Sequence, residues 1–257
     1  MKKFSKVILL GLVAAVLMTG CSVGKSVSAD DENKFEIGII QLAEHPALDD
    51  ARRGFEDGLK ELGVDVEIVY QNAGGDIPTT VSISQKYVND GVDLIYAIAT
   101  NAAQSAKQVS HEIPVLFSAV TDPVEAEIVD AWDNVGGNVT GTSDMAPTAE
   151  QLKMFKELDP SIETIGILYN TSEPNSQVQV EEVLKLAPGL GLEVKTVGVN
   201  NINDIAQAID SLLNKVDALY GLSDNLIASS VELVSTKLIE NNMISICAEE
   251  SQVGGGL

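Results

Sequence analysis

Phe35-Glu36-Ile37-Gly38-Ile39-Ile40-Gln41 is a short β-branched run with a glycine inside it, and Thr164-Ile165-Gly166-Ile167-Leu168-Tyr169-Asn170 repeats its style. Each run leads through a polar loop into a longer stretch of helical period, which implies two similar βα halves. Working outward, strands are expected at Phe35–Ile40, Val66–Tyr70, Leu94–Ala97, Val115–Ala119, Thr164–Tyr169, Glu193–Val197, Ala218–Gly221 and Ile244–Cys247. Helices are expected at Ala47–Leu62, Thr79–Asn89, Ala102–Ser110, Ala149–Leu158, Ser176–Ala187, Ile202–Asn214 and Asn225–Asn241. Pro46 marks one helix entry, and Asn203 or Asp204 is the expected cap of the helix carrying Ile205 and Ile209. Regular alternation of this kind predicts an α/β fold with parallel sheets and helices on both faces. The boundary between halves is expected in the loop Gly136-Gly137-Asn138-Val139-Thr140-Gly141-Thr142-Ser143, dividing an N-terminal lobe, 35–142, from a C-terminal lobe, 143–257.

Ahead of the body, Lys2, Lys3 and Lys6 precede an apolar run from Val7 to Met18 that is too short to span a ~30 Å hydrocarbon core. Residues 1–20 therefore read as a signal peptide. Met18-Thr19-Gly20-Cys21 is similar to a bacterial lipobox, with Met18 where Leu is usual, and makes Cys21 the expected lipidation site; an ordinary secretory signal with an incidental cysteine is the alternative. Residues 21–34 are small, polar and acidic, as a flexible tether would be. The expected location is outside the cytoplasm, lipid-anchored at a membrane, on the cell surface or in a periplasm.

Sixteen Lys+Arg against 38 Asp+Glu give a formal net charge of −22, which offers nothing to a phosphate backbone and argues against nucleic acid as a partner. Two cysteines, Cys21 and Cys247, cannot build a disulfide framework, and Cys247 in its apolar strand reads as an inert thiol. The two histidines, His45 and His111, show no metal-ligand spacing, so no metal is expected. No G-x-S-x-G elbow and no glycine-rich phosphate loop is complete, so neither acyl-transfer chemistry nor a nucleotide cofactor is expected. Glu249-Glu250 could do acid/base work in principle, but nothing in the sequence gives them a nucleophile or metal to serve. The expected protein is not an enzyme and needs no cofactor.

In open parallel sheets, ligands lie beyond the carboxyl ends of the strands. The segments immediately after the expected strands supply the candidate ligand-binding residues Gln41, Glu44, His45, Thr100, Asn101, Thr121, Asp122, Asn170, Ser172, Glu173, Asn175, Ser176, Asp224, Asn225 and Glu249. Short hydroxyl, amide and carboxylate side chains beside helix starts suit a small zwitterion. A carboxylate would take N–H groups and hydroxyls near Thr100 or Ser172, and an ammonium would pair with Asp122, Asp224 or a late glutamate. The same side chains could instead merely cap the helices that come next. His45 stands on a candidate cleft loop or packs there, whereas His111 reads as a solvated loop residue. Tyr96, Phe117 and Tyr169 lie near strand ends, where aromatic stacking on ligand and ordinary core packing are both open.

Several of these stretches together resemble one family. They are Glu44-His45-Pro46-Ala47-Leu48-Asp49, Ala97-Ile98-Ala99-Thr100, Ala119-Val120-Thr121-Asp122-Pro123-Val124, Gly137-Asn138-Val139-Thr140-Gly141, Tyr169-Asn170 with Glu173 and Asn175-Ser176, and Asp224-Asn225. In that order they are similar to the tryptophan/tyrosine-type substrate-binding lipoproteins of ABC transporters, from about Phe35 to the chain end. The resemblance implies two Rossmann-like lobes of the type I periplasmic-binding-protein kind, joined by a hinge. They would close as a monomer on a small ligand, an aromatic amino acid above all, and deliver it to an ABC permease. A ligand-sensing lipoprotein that signals to a membrane receptor is the alternative, and an extracytoplasmic α/β enzyme a more distant one. Asn101 stands where the family usually has Pro, and Leu222-Ser223 precede Asp224 where Pro-Thr is common, so the pocket wall is expected to differ. Relatives continue beyond Gly254-Gly255-Gly256-Leu257, which makes a truncated sequence, with a first lobe lacking its return segment, the expectation here.

Overall fold

A computed structural model describes residues 34–257; the expected signal peptide, Cys21 and all but the end of the tether lie outside the described residues. The first sheet is formed by β1 (Phe35–Gln41), β2 (Val66–Asn72), β3 (Leu94–Ile98), β4 (Val115–Val120) and β5 (Val139–Ser143), in spatial order β2-β1-β3-β4-β5, all parallel. The second has β6 (Thr164–Asn170), β7 (Glu193–Val199), β8 (Ala218–Gly221) and β9 (Ile244–Cys247), in order β7-β6-β8-β9, again all parallel. Two α/β lobes with parallel sheets result.

Helices α1 (Pro46–Glu61), α2 (Ile77–Asp90) and α3 (Thr100–Val109) accompany the first sheet. The second carries α4 (Thr148–Leu158), α5 (Pro174–Leu186), α6 (Ile205–Leu213), α7 (Asn225–Ala228), α8 (Val231–Glu240) and α9 (Glu250–Gly254). Strand periodicity sends successive β1 side chains to opposite faces, and both faces are covered. Ile37 and Ile39 pack with Leu48, Tyr96 and Ile98, while Ile40 packs with Tyr87, Ile95 and Phe117. Gly38 leaves room for Tyr87, since a Cβ there would lie 2.6 Å from the ring. The Tyr87 hydroxyl donates to the Val69 carbonyl at 2.7 Å, so the buried phenol has its partner. In the second sheet Ile165 and Ile167 pack with Phe155, Val183 and Tyr220, and Leu168 packs with Ile209, Leu219 and Val234.

Three expectations are corrected. The glycine-rich stretch expected to be a loop is in part the edge strand β5: Val139 is buried and the next four residues are exposed, so apolar alternation is missing from a real strand. The helix expected over Asn225–Asn241 is two helices, interrupted at Ser229 and Ser230. There the Ser229 hydroxyl donates to the Asn225 carbonyl at 2.8 Å and offers the backbone a local alternative. Neither Asn203 nor Asp204 caps through its side chain; Asn201 Oδ1 accepts the Asn203 N–H at 3.0 Å, and a 3-10 turn, Ile202–Asp204, precedes α6. At the last described residues, Gly255 and Gly256 lie against Val231 and Ser235, and Leu257 packs beside the α6 and α8 core.

Candidate ligand cleft between the sheets

Strand order reverses between β1 and β3 in one sheet and between β6 and β8 in the other, and such switch points open a crevice at the carboxyl edge. The two crevices face each other. His45, after β1, lies 3.1 Å by its Nε2 from Asn225 Oδ1, after β8. Asn225 Nδ2 already donates to Glu173, so the amide oxygen faces the ring and His45 Nε2 is the donor. Burial lowers the His45 pKa, and the Asn225 bond and the Glu173 and Asp49 charges raise it by less. Its Nδ1 is buried without a partner.

Around this contact open three cavities. One of about 380 Å³ is lined by Leu48, Ala119, Thr121, Asp144, Asn175, Ser223, Asn225, Ala248 and Glu249, among others. A second, about 450 Å³, takes in Leu42, Glu44, Gly74, Asn101, Asn170, Glu173, Asn200 and Leu226. The third and most voluminous, about 1100 Å³, lies along Glu44, His45, Pro46, Ile202, Val231, Leu233 and Val253. The first is favoured as the ligand chamber because it gathers the ends of β4, β5, β8 and β9. Among the described residues no Lys or Arg lines any of the three.

Much of the polar set positions the second lobe's switch point. Glu173 is buried, and its Oε1 accepts from Asn170 Nδ2 at 2.9 Å and Leu226 N at 3.2 Å. Its Oε2 accepts from Asn175 Nδ2 at 3.2 Å, Asn225 N at 3.0 Å and Asn225 Nδ2 at 2.5 Å. Asp224, fully buried, caps α7 by accepting Ile227 N at 2.9 Å, and takes Asn170 N at 2.6 Å and the Ser176 hydroxyl at 2.7 Å. Burial, then the neighbouring Glu173 charge, raises the Asp224 carboxyl, while those three donors act the other way.

On the first lobe, Gln41 donates to the Ala43 carbonyl and to Asp49, each at 2.8 Å. Thr100 Oγ1 and Asn101 Oδ1, at the start of α3, are buried without partners. Ala99 just before them has φ 84°, and Ala119, at the end of β4, has φ 53°. Left-handed alanines of this kind cost about 1–3 kcal/mol each and cluster where geometry serves a site. At Asp122 the structure departs from expectation: its Oδ1 accepts Val124 N at 2.9 Å and Glu125 N at 3.0 Å, capping the turn after β4, and it lines none of the three cavities. Ser172 is exposed, its N–H donating to Asn170 Oδ1, and lines none of them either. Glu44 is exposed on the rim, and His111 is exposed as expected of a loop residue.

Asp144 is the residue that strand-end reading missed. It comes after β5, which the sequence did not show as a strand, and its N–H donates to the Val120 carbonyl at 3.2 Å. Crowding by protein raises its carboxyl although the side chain stays open to the cleft. Across the same cavity Glu249 is pushed up to about 7 by burial and by Asp144, Asp224 and Glu173, the Ser251 hydroxyl opposing. Burial first, then Glu249, pushes the Cys247 thiol to about 12, far from a reactive thiolate. Tyr96, Phe117 and Tyr169 are packing residues: Tyr96 stacks on Phe55 at 4.0 Å, and the other two belong to the cores. Among the described residues no group of three His, Cys, Asp or Glu is placed to hold a metal, and no helix is long and apolar enough to cross a membrane.

Comparison with known proteins supplies the context. A family model described as ABC transporter substrate binding protein matches residues 36–256. A tyrosine-binding protein of Clostridioides difficile is 42% identical over 266 residues, covering 99% of this chain and 77% of the relative. A crystal structure of an ABC domain in complex with L-Trp, from Streptococcus pneumonia, is 37% identical, with TM-score 0.83 over 86% of this chain and 76% of that one. A ligand-free, open substrate binding protein with adhesive properties, from Clostridium difficile, is 44% identical over the same shares, with TM-score 0.61.

Proposed function

Because the chain belongs to the ABC transporter substrate-binding protein family, we propose that it captures an aromatic amino acid between its lobes outside the cytoplasm and hands it to a membrane permease. The observation that carries this reading is the pair of facing switch points joined through His45 and Asn225. The overall shape agrees better with the L-Trp complex than with the open relative, although the open relative is closer in sequence. A closed arrangement of the lobes accounts for that order. Ligand would favour it only through contacts that it makes there and not in an open form, and the permease would read the closed shape. In this proposal the chain is a monomer held at the membrane by lipid on Cys21, with residues 1–20 removed and 21–34 as tether. Labelled palmitate is expected on the native chain and not on Cys21→Ser; label on both would discard the anchor.

Thermal denaturation against tryptophan, tyrosine, phenylalanine, other amino acids, nucleosides and small organic acids tests the ligand class. At a hundred times Kd a native-state ligand stabilises by about 2.7 kcal/mol, a rise of roughly 5–10 °C for a chain of this size. An aromatic amino acid is expected to give it. A rise with nucleosides or organic acids alone would overturn the reading.

A further inference from the structure

Resting on the amino-acid reading, we propose that Asn101 determines specificity: the ring of the ligand enters the cavity of about 450 Å³, where Asn101 Oδ1 accepts from a ring-borne donor, an indole N–H or a phenol O–H. This cavity and the chamber of about 380 Å³ share Asn225 in their walls. One ligand can therefore place its main-chain groups in the chamber and its side chain in the neighbouring space. Leu42 and Ile77 supply apolar wall from the first lobe, and Ile202 and Leu226 supply it from the second. A flat apolar body with one polar atom at its edge suits such walls.

The polar groups within them are not equivalent. Asn170 Nδ2 donates to Glu173 and its Oδ1 accepts the Ser172 N–H, while Asn225 Oδ1 faces His45 and its Nδ2 donates to Glu173. Those groups are spent on the fold. Asn101 is only 5% exposed, lines the cavity, and has an Oδ1 with no partner. A buried acceptor left open is a cost that a donor on the ligand removes. The side chain is also well held, since it stands in the first turn of α3, where the Ala103 N–H donates to the carbonyl of the left-handed Ala99 at 3.0 Å. No Lys or Arg among the described residues lines the cavity, and Glu44 and Asp76 there are exposed, so nothing favours an anionic side chain. A phenyl ring fills the same space and leaves Oδ1 unpaired.

The test is calorimetric titration with pairs that differ in the ring donor. L-tryptophan is set against 3-(3-benzothienyl)-L-alanine, in which sulfur replaces the N–H, and L-tyrosine against L-phenylalanine. On the native chain the donor-bearing member of a pair is expected to bind about tenfold tighter. In Asn101→Leu that ratio is expected to shrink to about twofold or less, through a loss for the donor-bearing member alone, whereas Asn101→Asp keeps an acceptor and retains it. The melting temperature of unliganded Asn101→Leu is not expected to fall, because an unpaired buried acceptor has gone. Equal affinity within both pairs on the native chain, or an undiminished ratio in Asn101→Leu, overturns the role of Asn101 while leaving amino-acid binding intact. The first of these outcomes needs no variant and decides even if Asn101→Leu folds poorly. If no member of either pair binds the native chain, the reading beneath falls and takes this assignment with it.

Discussion

Glu173→Ala is expected to cost about 3–4 kcal/mol, the most damaging single change in the second lobe outside its apolar core. Five donors converge on this one buried carboxylate, two of them backbone N–H groups at the start of α7 and three of them amide side chains. Alanine orphans them together, in a place that water reaches poorly. For a chain of this size the midpoint should fall by roughly 6–15 °C in calorimetry. Glu173→Gln should lose less but still clearly, because its amide nitrogen would meet donors where the second carboxylate oxygen stood. Affinity should fall in step, since Asn225 would lose the bonds that aim its oxygen at His45. A loss under about 1 kcal/mol for the alanine variant would show that water replaces the carboxylate and that the network is not structural.

Gly141→Ala is expected to be nearly as costly and to act on the site from a distance. Gly141 pairs with Phe117 in the ladder between β4 and β5, and a Cβ added there would lie 2.1 Å from the Phe117 carbonyl oxygen and 2.5 Å from its ring. Backbone cannot step aside as a flexible side chain does, so β5 must shift, at about 2–3 kcal/mol by the usual cost of overpacking. Asp144 lies three residues further on and would move with the strand. Ligand affinity should therefore drop by about tenfold or more, whereas an equally destabilising change in the remote Phe155 and Tyr220 core should leave affinity alone. Wild-type affinity and a wild-type melting curve for Gly141→Ala would mean that β5 is not held to β4 as described.

The eight strands that carry large apolar residues could be read from the chain, because those residues lie in the cores or pack against them. β5 could not: Thr140, Gly141, Thr142 and Ser143 are small, exposed and polar, and the strand is defined by its ladder to β4, which only the fold supplies. Losing that strand cost the site Asp144. The rule that searches the residues after each strand did reach His45, Thr121, Asn175, Asn225 and Glu249, which the structure gathers around the cleft. It could not separate cleft-lining groups from caps, since Asp122 and Asp224 occupy similar positions after their strands yet both cap backbone N–H groups. Which carboxylate oxygen faces a helix start and which faces a cavity is set by tertiary packing. Composition and spacing are silent on it.

Every described strand of the first sheet lies between residues 35 and 143, and every described strand of the second between 164 and 247. Among the described residues, neither sheet borrows a strand from the other's stretch of chain. In vectorial synthesis, units of this kind fold in sequence, the earlier one first. The chamber, however, needs Glu249, just past β9, together with Thr121 and Asp144 from the first sheet. Ligand can thus give no help to a nascent first lobe, and its stabilising influence begins only when the second sheet has closed its ladder between β8 and β9.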